Sequence, residues 1–165
     1  MTIVDLMARV ASPWADLYSH STPVSVAVSF LHIGGLLYGG GRAVSADCKA
    51  LRSTGRNAVR LRQDLTELGE AHGAVVIGLA VTLVSGALMW AADVETFTFS
   101  RLFWLKMAVV GLLLVNGYVL HQKEKAARNG SLHPYRAFAS LRWRAASSLV
   151  LWFGSALLGT ALLSA

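Results

Sequence analysis

Histidines near or inside apolar segments are the residues of this sequence best suited to chemistry. His72 and His121 each stand near the end of such a segment. If consecutive segments cross a membrane in opposite directions, both imidazoles come to the same end, and two imidazoles at one height on facing helices are the arrangement that ligates haem b or a metal ion. The other interpretation is that both are interfacial side chains that reach lipid headgroups.

Arginines lie where a cofactor at this histidine pair would need them. Arg142 and Arg144, together with Arg128, precede the last apolar segment on the same side. Their guanidinium groups are suited to pairing with haem propionates, and Glu70 or backbone carbonyls would accept from the outer ring nitrogens. The sequence therefore makes haem b the candidate cofactor, with electron transfer as the activity that it would support.

A third histidine, His32, lies at the middle of the first apolar segment. It shares a stripe with Gly35 and Gly39 at three- and four-residue spacing, which indicates a close-packing helix face. An ionisable residue at bilayer depth is a functional candidate. Two interpretations stay open: a neutral histidine in an interhelical hydrogen bond, or a ring beside a flat cofactor in the space that the glycines leave. His32 lies roughly 14 Å deeper than the pair, so it does not share an iron with them.

Four apolar segments must position these side chains, at residues 22–41, 73–92, 102–121 and 145–164. Each has about the 20 residues that a spanning helix needs. The 55% hydrophobic content and the mean hydropathy of +0.52 exceed what a soluble domain of 165 residues buries. The prediction is one all-α domain over residues 1–165, an integral membrane antiparallel four-helix bundle.

The ends of the first segment are marked by particular residues. Thr22-Pro23 predicts the helix start, and Gly39-Gly40-Gly41 the helix end. Before it, Ile3, Met7, Val10 and Trp14 recur at helical spacing, which predicts a short N-terminal interfacial helix with a break at Ser12-Pro13. The alternative is a loosely ordered tail.

Small residues predict where the spanning helices approach one another. Gly78, Thr82 and Gly86 are four residues apart in the second segment, and they form a ridge against which a neighbouring helix packs closely. With Gly35 and Gly39 of the first segment, Gly78 and Gly86 are therefore the predicted packing positions.

Positive charge sets the expected orientation and excludes some partners. Of 15 Lys/Arg, twelve lie in the two segments 42–70 and 122–144. Lys/Arg-rich loops stay in the cytoplasm, so a multi-pass protein of the bacterial inner membrane with both termini on the outer side is expected. The net charge of +6 is not arranged as a patch interleaved with aromatics, which argues against nucleic acid. The single Cys48 excludes an intramolecular disulfide.

Lys106, about one turn inside the third segment, is expected to snorkel outward or to pair with Asp93 or Glu95. No Ser/His/Asp arrangement, paired carboxylates within a span or phosphate-binding loop is present in the sequence. A hydrolase or a kinase is therefore disfavoured.

Two stretches resemble a known family of membrane domains. They are His32-Ile-Gly-Gly-Leu-Leu-Tyr-Gly-Gly-Gly-Arg42 and Phe103-Trp-Leu-Lys106-Met-Ala-Val-Val-Gly-Leu-Leu-Leu-Val-Asn116-Gly, and they resemble the bacterial copper-resistance protein D type and related four-span proteins. The resemblance implies a small inner-membrane protein that handles metal or haem. The further outer-side histidine and methionine clusters of the copper family are not evident, and His20 is the only histidine expected on that side.

The sequence therefore suggests three candidate functions. The first is haem b-dependent electron transfer through His72 and His121. The second is a non-catalytic accessory subunit whose small-residue ridges dock against a larger, energy-converting membrane complex, and the third is copper handling. The expected partners are the lipid bilayer and other membrane subunits or further copies of the chain.

Overall fold

The computed structural model describes residues 2–52, 58–128 and 134–164, and every regular element in these ranges is an α-helix. The helices are α1 (Ile3–His20), α2 (Thr22–Arg52), α3 (Ala58–Ala92), α4 (Val94–Phe99), α5 (Arg101–Arg128) and α6 (Pro134–Leu163). The all-α prediction is confirmed for these ranges. The sequence also predicts a helix end at Asn129-Gly130, and these two residues lie outside the described ranges.

Four of these helices contain segments long and apolar enough to cross a membrane: Thr22–Arg52, His72–Ala92, Arg101–Val119 and Arg142–Leu162. Large apolar side chains on all four remain exposed, among them Phe30, Val84, Leu112 and Val150. Apolar surface of this extent is suited to lipid rather than to water. These are the properties of a small multi-pass membrane protein.

The N-terminal helix α1 runs without a break through Pro13, so the predicted interruption at Ser12-Pro13 was wrong. Proline has no N–H to donate to the carbonyl of Arg9. The hydroxyl of Ser12 donates to that carbonyl instead, at 3.0 Å. The helix begins with a capping box between Thr2 and Asp5. Hydrogen bonding to the Thr2 backbone N–H, and to a smaller extent to the Thr2 side chain, keeps the pKa of Asp5 below its ordinary value.

One tryptophan fastens α1 to the rest of the molecule. The indole N–H of Trp14 donates to the carbonyl of Leu88 at 2.8 Å. That carbonyl lies in the last turns of α3, and α1 also packs against α2 and α4. The short helix α4 is itself capped by Asp93, whose carboxylate accepts from the N–H of Thr96. Helices α1 and α4 therefore lie together at the same end of the long helices.

Helix α2 does not end at Gly39-Gly40-Gly41 but continues to Arg52. Packing explains the difference, because a Cβ at Gly39 would lie 3.0 Å from the Cα of Gly78, and a Cβ at Gly40 would lie 3.0 Å from the indole of Trp152. Glycine within a helix costs about 1 kcal/mol relative to alanine, and the close approach of α3 and α6 offsets that cost. The glycines thus mark a contact within the helix.

The long helices pack with unequal extents of contact. Helix α2 packs most extensively against α3 and also against α6, and α5 packs against α6, whereas α3 and α5 meet over a much shorter length. The buried core contains Ala43, Leu113 and Trp152, from α2, α5 and α6. The side of the molecule between α3 and α5 is therefore its most open side.

Candidate functional site

His72 and His121 lie side by side where α3 and α5 meet. Their rings stack face to face, with centroids 4.2 Å apart and planes within 11° of each other. Each is partly exposed. The structure therefore brings together the two histidines that the sequence places at one end of consecutive spans.

The orientation of the two rings decides what they can ligate. A haem iron needs one ring nitrogen on each side, with the in-plane lone pairs directed at the metal and the porphyrin lying between the two ring edges. Stacked rings instead hold their lone pairs in two nearly parallel planes, and no porphyrin passes between faces that are in contact. The pair as arranged does not fit haem b.

The structure describes only some of the other residues expected at a cofactor. Within the described residues, no group of three or more His, Cys, Asp or Glu side chains is placed to hold a metal ion. Arg142 is exposed, and the backbone carbonyl of Arg144 accepts from the amide of Asn116 at 3.2 Å. The side chains of Arg128 and Glu70 lie outside the described part of the chain.

A cavity of about 260 Å³ adjoins the histidine pair and is lined by α2, α3, α5 and α6. Its polarity changes along the helix axes. Asp47, His72, His121 and Ser148 lie toward the end that carries the basic segments, whereas the deeper lining is apolar and includes Leu79, Leu113 and Trp152. On α3, His72 and Leu79 are separated by about 10 Å along the axis. The cavity is thus polar at one end and apolar at the other.

Asp47 is the polar residue of the cavity that the sequence analysis missed. Only 2% of its surface is exposed. The Ser148 side chain hydrogen-bonds to the Asp47 carboxylate, but the buried Oδ2 of Asp47 has no hydrogen-bond partner. A buried polar atom normally has a partner, and leaving a carboxylate oxygen without one costs more than leaving a neutral group unpaired. This oxygen is therefore the atom of the cavity that most needs a donor.

A sequence signal for Asp47 was present. The stripe that begins at His32, Gly35 and Gly39 continues at four-residue intervals through Ala43 to Asp47, and all of these except His32 are buried. The signal was hidden because the glycine run was interpreted as the end of the helix, which left Asp47 in a loop.

The cavity lies beside the sparse contact between α3 and α5. Val76 of α3 and Leu114 and Tyr118 of α5 line it, yet they are 49%, 41% and 65% exposed. Side chains that both line the cavity and face outward mark its opening. We call the gap flanked by Val76, Leu114 and Tyr118 the lateral mouth.

His32 lies in a separate polar contact between α2 and α3. Its Nδ1 is 3.1 Å from the hydroxyl oxygen of Ser85, and that hydroxyl is 2.6 Å from the carbonyl of Val81. Since a hydroxyl has one proton and a carbonyl only accepts, Ser85 donates to Val81 and accepts from His32. This pattern predicts that the proton of His32 is on Nδ1, and the imidazole makes an interhelical hydrogen bond.

A glycine provides the space for this ring. A Cβ at Gly86 would lie 3.1 Å from Cε1 of His32, which leaves no room for a flat cofactor on that side. Lys106 is half-buried on α5, and its Nζ would lie 3.5 Å from a Cβ at Gly159. Its ammonium is therefore directed at α6, where glycine leaves room for it.

Comparisons with known proteins identify no relative of this chain. No family model, curated protein or solved structure matches it.

Proposed function

We propose that this chain is a multi-pass protein of the bacterial inner membrane that binds a small amphipathic, lipid-soluble molecule in the cavity beside His72 and His121. In this proposal α2, α3, α5 and α6 form an antiparallel bundle. The Lys/Arg-rich segments lie in the cytoplasm, and α1 lies in the outer interface, on the same side as both termini. The cavity then lies in the cytoplasmic half of the membrane.

The observation that carries the proposal is the unsatisfied Oδ2 of Asp47 at the polar end of the cavity. Burying a carboxylate is costly unless it is paired and hydrogen-bonded, and Ser148 supplies one hydrogen bond only. A molecule in the cavity that donates to Asp47 would remove this cost. Functional sites are where such local costs are retained.

The cavity's shape and its surroundings favour an amphipathic ligand. Its polar end lies at the level where the apolar segments begin, and its deeper part lies among Leu79, Leu113 and Trp152. The lateral mouth is flanked by Val76 of α3 and Leu114 of α5, whose apolar side chains are exposed. A molecule dissolved in lipid could reach the cavity there without crossing the water layer.

The three candidate functions that the sequence suggests have weaker support than ligand binding in the cavity. Haem-dependent electron transfer needs a pair of rings in another orientation. Copper handling needs a larger set of metal ligands than the described residues bring together. A subunit role rests on small-residue ridges, and the ridge glycines Gly35, Gly39 and Gly78 already form contacts between α2 and α3 within this chain.

The test is whether a small molecule copurifies with the protein and depends on the cavity. Gly117 lines the cavity, and a Cβ added at this position would have no neighbouring atom within 4 Å outside its own stretch of helix. Leucine in Gly117→Leu would therefore occupy cavity space without clashing with backbone. Gly111→Leu is the matched control, because Gly111 is on the same helix, is exposed and also has open space.

Each protein is purified from native membranes in mild detergent, extracted with organic solvent and analysed by mass spectrometry. We expect one small amphipathic molecule, close to one per chain, in the wild type and in Gly111→Leu, and a loss of most of it in Gly117→Leu. A wild-type extract without such a molecule, or equal amounts in the two variants, would contradict the proposal.

A further inference from the structure

We infer that the ligand is an uncharged molecule whose head is a hydroxyl-bearing aromatic ring, of the quinol or phenol class. This inference rests on the proposed binding function of the cavity. It concerns which chemistry suits the cavity, and three properties of the lining determine it: hydrogen bonding, charge and shape.

Hydrogen bonding requires a donor on the ligand. The Ser148 side chain already hydrogen-bonds to Asp47, and the remaining Oδ2 accepts nothing. Ketones, ethers and esters only accept hydrogen bonds, so they would leave this oxygen as it is. A hydroxyl on the ligand supplies the missing donor, and a hydrogen bond to a carboxylate is about twice as strong as one between neutral groups.

Charge argues against both ionic classes of amphiphile. An anionic head, such as that of a fatty acid or a phospholipid, would be placed beside the buried Asp47 carboxylate. A cationic head would enter the end of the molecule where α2 carries Arg42, Lys49 and Arg52, and where α6 carries Arg142 and Arg144. Most of these cations are exposed, so they act through the long-range field, which lowers the concentration of cations at this end of the molecule, and an uncharged head is favoured.

The size and the walls of the cavity favour a ring. About 260 Å³ is slightly less than the smallest usual ligand pocket of about 300 Å³, which leaves room for one six-membered ring with small substituents. Trp152 and Tyr118 line the same space, and aromatic side chains pack well against a flat aromatic head. A longer apolar tail would leave through the lateral mouth between Val76 and Leu114.

The test compares a probe that carries two hydrogen-bond donors with its analogue in which both donors are methylated. Decylubiquinol, kept reduced, carries two ring hydroxyls, whereas its dimethyl ether has the same ring and tail with no donor. Binding is followed as the rise in Tm of the protein in lipid nanodiscs, since a ligand that binds the folded state alone stabilises it. We expect the rise in Tm to reach a plateau as the quinol concentration increases. The ether should bind at least tenfold more weakly than the quinol.

Variants of the acceptor separate recognition from folding. Asp47→Asn keeps the size of the side chain but removes its charge, and it should weaken quinol binding about tenfold. Asp47→Leu removes the acceptor altogether and should abolish the preference for quinol over ether. Asp16→Asn changes an exposed carboxylate on α1 and should bind the quinol as the wild type does. The Tm of each variant without ligand shows whether it is folded.

The alternative outcomes overturn different statements. Equal binding of quinol and ether, lost only in Gly117→Leu, would refute the hydroxyl class and leave the proposed cavity function intact. Tighter binding of tetraphenylphosphonium than of quinol, lost in Asp47→Asn, would replace the uncharged class with a cationic one. If no probe binds and no molecule copurifies from native membranes, both the inference and the proposed function fail.

Discussion

Gly78 of α3 lies directly against Gly39 of α2, so closely that a Cβ at Gly78 would be 2.5 Å from both the Cα and the N of Gly39. No flexible side chain can move aside at this contact, because the neighbouring atoms are backbone. The crossing of α2 and α3 is therefore fixed by the absence of side chains at two positions.

Gly78→Ala should destabilise the protein although alanine favours helices. Replacing glycine by alanine within a helix gains about 0.5–1 kcal/mol, but the added methyl group would force α2 and α3 apart, and overpacking costs about 1–3 kcal/mol. We expect a net loss of Tm in detergent. Gly111→Ala, which meets open space, should leave Tm unchanged or raise it, and an equal response at the two positions would contradict the close contact.

Ser85→Ala should remove the partner of His32 and lower the free energy of unfolding by about 1 kcal/mol. Chemical or thermal unfolding in one detergent would measure the change. Ser147→Ala is the control, because the Ser147 hydroxyl is exposed and bonds only within its own helix. In ¹⁵N NMR spectra of the wild type, the proton of His32 should be on Nδ1. A proton on Nε2 would mean that Ser85 is the donor.

Labelling of Cys48 shows on which side of the membrane the polar end of the cavity lies. It is the only cysteine and lies next to Asp47 in the last turns of α2. A membrane-impermeant maleimide should label it in inside-out vesicles and not in intact spheroplasts. Ser19→Cys in a Cys48→Ser background should give the reverse pattern, since Ser19 is exposed near the other end of the molecule. Labelling of Cys48 from outside would invert the proposed topology.

The stacked histidines predict an absorption spectrum without a bis-histidine haem. Protein expressed with added haem should show no Soret band that depends on both His72 and His121. His72→Ala and His121→Ala should therefore have the same visible spectrum as the control variant His20→Ala. In the wild type the His20 ring lies near the carbonyl of Asp16 on α1. A band present in the wild type, lost in the first two variants and kept in the third would show that the rings separate to take up a haem.

Hydropathy and segment order were sufficient to predict much of the fold. The apolar segments indicated the four long helices, because length and composition determine which helices can cross a membrane. The same pattern placed His72 and His121 at one end. It could not give the relative orientation of their rings, since this depends on side-chain rotamers and on how closely α3 approaches α5.

The prediction that helix α2 ends at Gly39-Gly40-Gly41 was wrong because it considered only the local sequence. Glycine runs usually weaken a helix, and the interruption expected at Gly39-Gly40-Gly41 placed Asp47 in a loop. In the structure, contacts with Gly78 and Trp152 keep the helix intact through this run. Tertiary packing, which a single sequence does not display, therefore decided whether Asp47 became a cavity residue.

The lateral mouth changes what is meant by ligand concentration for this protein. A molecule that reaches the cavity between Val76 and Leu114 exchanges with the bilayer, so occupancy follows its mole fraction among the lipids and not its concentration in water. Added detergent then acts as a diluent that lowers the occupancy of the cavity at constant total ligand, so copurification requires the smallest amount of detergent that keeps the protein in solution. Conversely, a compound with negligible solubility in water could saturate the cavity at trace amounts per cell, provided that it remains in the membrane.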